Sequence, residues 1–217
     1  GFTGAAANSN ISMSAVNNLS SVIATGNYAG GFAGRTTLGT KAAKIGDIDE
    51  PDNGLLGTIT SVLTGVLGKD GQDTLLNVAG VSPTVLDGCN VEGTGITVSA
   101  DNYAGGFFGE GDGTTMPGTN KSSIKGLTSV TAKTNYAGGV AGKIVPANAA
   151  GIVDSALELI NAIPFSLNNI EVNSENNGWS VTATGDYSGG AIGQATGGTA
   201  NNILLKDITE VKANNYA

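Results

Sequence analysis

The sequence predicts an all-β protein, a parallel β-solenoid (a right-handed β-helix) with repeats of about 30 residues and two helical insertions. Three observations lead there. A phrase built on Asn-Tyr and a glycine pair recurs along the chain. Alternating runs of Val, Ile and Thr precede each copy. Aromatic residues make up only 5% of the composition, so the interior must be narrow and filled by Val, Ile, Leu and Ala.

The phrase reads N-Y-A-G-G-F-A-G at 27–34, N-Y-A-G-G-F-F-G at 102–109, N-Y-A-G-G-V-A-G at 135–142 and D-Y-S-G-G-A-I-G at 186–193. A final N-Y-A stands at 215–217. Measured between Tyr28, Tyr103, Tyr136, Tyr187 and Tyr216, the spacings are 75, 33, 51 and 29 residues. The short spacings are the basal repeat, and the long ones must hold insertions.

Upstream of each tyrosine lies a run with strand periodicity: Leu19–Thr25, Gly95–Ala100, Leu127–Lys133, Trp179–Thr184 and Ile208–Ala213. The Asn-Tyr pair is expected to turn a corner, with a second short strand running through the glycine pair. A third apolar stretch follows in places, at Ala43–Ile48 and Ser122–Leu127. The repeat residues Tyr28, Gly30, Gly31, Tyr103, Gly105, Gly106, Tyr136, Gly138, Gly139, Tyr187, Gly189 and Gly190 are read as structural. Each ring stacks on the ring one coil away, and the glycines sit where backbones approach closely.

The insertions carry helical spacing. In 51–68, Leu55, Ile59, Val62 and Val66 form one stripe, with Asp52 or Asn53 as cap and Gly68 as terminator. In 148–163, Ile152, Ala156, Leu159, Ile160 and Ile163 form another, which Pro164 stops. Both are expected to cover apolar surface on the flank. Neither carries the Lys and Arg of a membrane-surface helix.

The 217 residues have a net charge of −8, and the ten Lys and Arg are scattered, so nucleic acid is not an expected partner. No apolar run is long enough to insert in a membrane. The chain starts at Gly1 without an initiator Met or signal peptide. Gly1-Phe2-Thr3-Gly4 matches the G-F-A-G of 31–34, and the terminal N-Y-A matches what precedes that phrase. The expectation is one solenoid domain over 1–217, either a length of a longer repeat protein or a unit whose copies stack end to end.

Chemistry is sparse. The chain has no His, which removes the commonest general base, and Cys89 is the one Cys, expected to fill a small buried position. The acids Asp47, Asp49, Glu50 and Asp52 crowd G-D-I-D-E-P-D-N-G and offer oxygen ligands to calcium. Pro51 breaks the EF-hand spacing, however, and acids also favour a helix N-terminus. E-G-D-G-T at 110–114 is a polar loop with two carboxylates. No other cofactor is expected. Lys133 and Lys212 stand at similar places in two repeats, a solvent-facing corner rather than a catalytic base. Trp179, the single Trp, is read as core or edge packing rather than a sugar platform.

The segments S-V-I-A-T-G-N-Y-A-G-G-F-A-G (21–34) and S-V-T-A-T-G-D-Y-S-G-G-A-I-G (180–193) resemble the glycine-rich GLUG repeats, in which a phrase like S-Y-A-T-G-N-V precedes G-G-L-V-G. The Leu-Val of that family is replaced here by Phe-Ala, Phe-Phe, Val-Ala and Ala-Ile. The resemblance implies a stalk or adhesin on a bacterial cell surface, extracellular, with no catalytic residues to carry over. The expected function is thus structural or adhesive, toward cell-surface glycans or proteins or toward further copies. The alternatives are a carbohydrate-active β-helix enzyme, a lyase or hydrolase, and a glycan- or ice-binding module. The first needs carboxylates converging across a cleft. An ice-binding face needs a regular Thr-x-Thr array, and T-A-T at 182–184 is not echoed by T-V-S at 97–99 or T-E-V at 209–211.

Overall fold

A computed structural model describes residues 1–40, 81–147, 163–174 and 178–217. Among them the regular elements are all strands, gathered in three parallel sheets and one two-stranded antiparallel pair. The first sheet has five strands: Thr3–Ala7, Ala33–Thr37, Phe108–Asp112, Ala141–Val145 and Ile192–Ala195. The tyrosine sheet has four, Tyr28–Gly30, Tyr103–Gly105, Tyr136–Gly138 and Tyr187–Gly189, extended by a parallel bridge from Tyr187 to Tyr216. The long sheet has ten, among them Ala15–Ile23, Asn90–Ala100, Ser122–Ala132, Trp179–Ala183 and Ile208–Lys212.

The chain visits these sheets in a fixed order, first, long, then tyrosine, and each pass adds a rung on the one before. Register explains why. Val22, Val98, Val130, Val181 and Val211 pair directly across the long sheet, one per rung. Val16, Val91, Ile124, Val172 and Leu205 form a second column. Successive strands lie ~4.8 Å apart, so like residues stack in contact, and alternation sends every second side chain inward. A one-residue slip would turn each column to solvent. Val98, Val130 and Val181 are fully buried, together with Ile96, Leu127 and Trp179 beside them. Burying a side chain of this size contributes ~1.5–3 kcal/mol. In the first and last described rungs, which have a described rung on one side only, Val16, Leu19, Val22, Leu205, Ile208 and Val211 are half-exposed.

Bends are placed by positive-φ residues. Met13, Gly88, Gly118, Asn169 and Asn202, with φ between 50° and 75°, occupy one bend of the long sheet, rung after rung. At the corner from the first sheet to the long sheet, Asn8, Gly113 and Gly197 take the same conformation in three rungs. Between them lie the two rungs where the chain instead departs, after Thr40 and after Ala147. Each departure has an antiparallel stem, Gly39–Thr40 against Val81–Ser82 and a bridge from Ala147 to Ile163. Buried threonines close this corner. Thr36 and Thr114 share a hydrogen bond of 2.5 Å, and the Thr84 hydroxyl donates to Thr37 O at 2.9 Å.

Some expectations fall outside the described residues, and others change. The expected helix 51–68 and the stretch Ala43–Ile48 lie outside the described residues, as does 148–162. Ile163, placed at the end of the second helix, is instead a bridge residue. Ser122–Leu127 is not a separate strand: it continues to Ala132, bent at Gly126 with φ 83°. The glycine pair does not run through a strand either. The first glycine ends one strand, and the chain turns at the second before the next begins, as at Gly138, Gly139 and Ala141.

Glycine is needed at that turn because rungs touch there through the backbone. Gly31 N donates to Gly106 O at 2.9 Å, and Gly139 N donates to Gly190 O at 2.9 Å. A Cβ on Gly139 would strike both Gly190 O and the Trp179 ring. A Cβ on Gly26 meets nothing within 4 Å. Gly139→Val is therefore expected to lower stability by at least ~3 kcal/mol or abolish folding, whereas Gly26→Ala melts close to the parent. Thermal melts followed by circular dichroism decide between these outcomes.

Candidate functional site

The repeat places one tyrosine per rung at the same corner, so the rings meet in a continuous stack. Tyr28–Tyr103, Tyr103–Tyr136, Tyr136–Tyr187 and Tyr187–Tyr216 have ring centroids 5.1, 5.2, 5.3 and 4.9 Å apart. Their planes are within 19° of parallel. The first four rings are half-buried, and Tyr216 is exposed. Ring faces are occupied by neighbouring rings, so only edges and hydroxyls face water along the stack.

Beside it on the first sheet runs a charged row that the sequence reading did not single out. Arg35, Glu110, Lys143 and Gln194 pair in register, one per rung. Its signal is simple: each residue directly follows the third glycine of its phrase, at Gly34, Gly109, Gly142 and Gly193. Arg35 Nε lies 3.0 Å from Glu110 Oε2, and its Nη2 lies 2.9 Å from Asp112 Oδ2. The Arg35 guanidinium also sits 5.3 Å from the centroid of Tyr28, and Lys143 Nζ lies 5.3 Å from that of Tyr136. The carboxylates of E-G-D-G-T thus face a cation, not each other.

Burial raises the Tyr28 and Tyr103 hydroxyl pKa values, and the negative charge of Glu110 adds to it in both. Tyr187 is raised as well, by desolvation first and then by Tyr216 and Asp186. Glu171 moves the other way: hydrogen bonds from Lys121 and Lys206 hold its carboxylate below the usual range.

The residues before the tyrosines, Asn27, Asn102, Asn135, Asp186 and Asn215, add side-chain hydrogen bonds between rungs. Asn102 Nδ2 donates to Asn27 Oδ1 at 2.6 Å, and Asn135 Nδ2 donates to Asn102 Oδ1 at 3.1 Å. Asn215 does the same to Asp186 at 2.6 Å. Further ion pairs tie rung to rung, as Lys125 to Glu92 and Lys133 to Asp101, both at 2.9 Å.

On the outer face of the long sheet, two hydroxyl columns alternate with the buried valines. Thr97, Ser129 and Ser180 form one, and Ser99, Thr131 and Thr182 the other. The match sought from Thr182 to Thr184 therefore used the wrong partner, because the residues that pair are Ser180 and Thr182. Lys133 and Lys212 are not equivalent either. A register shift after Trp179 pairs Ser180 with Glu210, which sets Lys212 opposite Thr182.

Trp179 lies in the core, with Nε1–H donating to Lys206 O at 2.6 Å. Cys89 is fully buried; burial pushes its thiol up to about 11, and its S–H points at Ile11 O. The acids Asp47, Asp49, Glu50 and Asp52 lie outside the described residues. Among the described residues no group of three or more Cys, Asp or Glu is placed to hold a metal ion. No helix among them is long and apolar enough to cross a membrane. Comparison of the chain with protein-family models, with curated proteins and with solved structures finds no match.

The raised tyrosines have a consequence at high pH. A folded pKa above the unfolded value of about 10 favours the neutral phenol in the folded state. That contribution is complete below pH ~10 and is lost as pH rises through the folded pKa values. Ultraviolet titration is expected to show phenolate appearing later in the native chain than in the urea-unfolded chain, with stability falling over the same range. Coincident titrations of the two states would contradict the placement of Tyr28 and Tyr103.

Proposed function

We propose that this chain is a rod segment, a parallel β-solenoid serving as a stalk or adhesive spacer outside a bacterial cell, and not an enzyme. The observation that supports it most is the continuity of the valine columns from the first rung to the last, which persist across local register shifts. Each rung rests on its neighbours, and such an array gains length by adding rungs without altering those in place. The resemblance of 21–34 and 180–193 to GLUG repeats supports the cell-surface setting. The pairing of surface carboxylates with Lys and Arg of adjacent rungs supports a structural role over hydrolysis of sugars.

The half-exposed columns of the first and last rungs present the same residue classes to each other: Val16, Leu19 and Val22 at one end, Leu205, Ile208 and Val211 at the other. A second copy stacked end to end would continue both. Sedimentation over a wide concentration range is expected to show mass rising with concentration, and Val211→Asp should suppress it. A strict monomer throughout would remove stacking between copies. Release of reducing or unsaturated ends from a polysaccharide panel would overturn the rod reading in favour of an enzyme.

The hydroxyl columns favour a second reading, a face that orders water. Rows ~4.8 Å apart along the stack and ~6.6 Å apart across it would meet an ice surface as a flat lattice. Thermal hysteresis abolished by Thr131→Lys would support that reading, and its absence in the parent would end it.

A further inference from the structure

The tyrosine stack carries more than packing requires. Packing alone is satisfied by any flat ring, yet the described rungs hold phenols with their rings in near-parallel contact over four consecutive pairs. An oxidised phenol is a neutral phenoxyl radical, with its unpaired electron shared between the oxygen and the ring carbons ortho and para to it. The para carbon bears the Cβ, which leaves the ortho carbons free to couple. In-register stacking brings the ortho carbon of one ring over the next ring, at the distance set by the stack.

We infer that this stack is a site of oxidative cross-linking, at which hydrogen peroxide, activated by a haem peroxidase, joins neighbouring rungs through dityrosine. Each of two adjacent phenols gives up one electron and its phenolic proton. One carbon–carbon bond forms between their ortho carbons, and the two ortho hydrogens return to the oxygens as the rings regain aromaticity. The two electrons and two protons reduce one hydrogen peroxide to two waters.

The surroundings suit the step. Tyr28, Tyr103, Tyr136 and Tyr187 are half-buried with edges toward solvent, so the electron can leave while the rings are held in place. Glu110 faces the Tyr28 hydroxyl and can take its proton. Lys143 lies over Tyr103 and Tyr136, which disfavours positive charge on those rings. Tyr187 and Tyr216 have no such cation among the described contacts, so that pair should couple first. Each link would close a loop between consecutive rungs, which restricts the unfolded chain as a disulfide does. The inference rests on ring geometry alone and survives failure of the rod reading.

The test is peroxidase oxidation of the dilute full chain, folded and urea-unfolded, followed by digestion and mapping of dityrosine peptides by mass spectrometry. The folded chain should yield intrachain links between stack neighbours only, led by Tyr187–Tyr216, and should melt at a higher temperature afterwards. The double variant Tyr103→Phe with Tyr187→Phe keeps ring stacking but leaves no two phenols adjacent. It should lose nearly all intrachain dityrosine. Should that variant fail to fold, Tyr136→Phe alone must abolish Tyr103–Tyr136 and Tyr136–Tyr187 while sparing Tyr28–Tyr103. Undiminished yield in a folded variant, the same product pattern from the unfolded chain, or links between chains only would each overturn the inference.

Discussion

Everything in this structure depends on the parallel, in-register superposition of one rung on the next. Strands of successive rungs are held ~4.8 Å apart by backbone hydrogen bonds, so each side chain has its counterpart directly above and below. The side chain that fits best there is one of the same kind. Valine packs on valine, asparagine donates to asparagine and tyrosine stacks on tyrosine, each pair adding up to about 1 kcal/mol beyond its buried area. Charges obey the opposite rule, since like charges cannot stack. Arg35, Glu110 and Lys143 accordingly alternate in sign along their row.

The same superposition governs what a rung can leave out. Where backbones touch, as at Gly31, Gly106 and Gly139, there is no space for a side chain. The two long departures among the described residues leave at a corner where the ladder is already interrupted. Both departures use the turn from the first sheet to the long sheet, and the three remaining rungs close it with Asn8, Gly113 or Gly197 in a left-handed conformation. An antiparallel stem at each departure pairs the outgoing and returning chain, so the columns on either side remain in register.

Much of this was legible in the residues. The repeat length, the all-β character and the parallel pairing follow from anchors spaced about 30 residues apart, preceded by alternating Val, Ile and Thr. Register was less legible. The equivalence drawn between Lys133 and Lys212 failed: Lys133 stands three residues before Tyr136 and Lys212 four before Tyr216, and the shift that pairs Ser180 with Glu210 moves Lys212 one place further, opposite Thr182. The hydroxyl columns were missed for a related reason. The phase was read from Thr182 toward Thr184, whereas the buried Val181 divides Ser180 from Thr182.

By itself the sequence determined the period, the strand-forming runs and the Asn-Tyr corner, because these rest on local preference and on repetition along the chain. The tertiary structure alone decided which rungs lie in register, that the glycine pair is a turn between strands, and that a charged row flanks the tyrosines. Those features arise from contacts between residues separated by 29 to 75 positions. A local pattern carries no information about a neighbour so distant until the rungs are stacked.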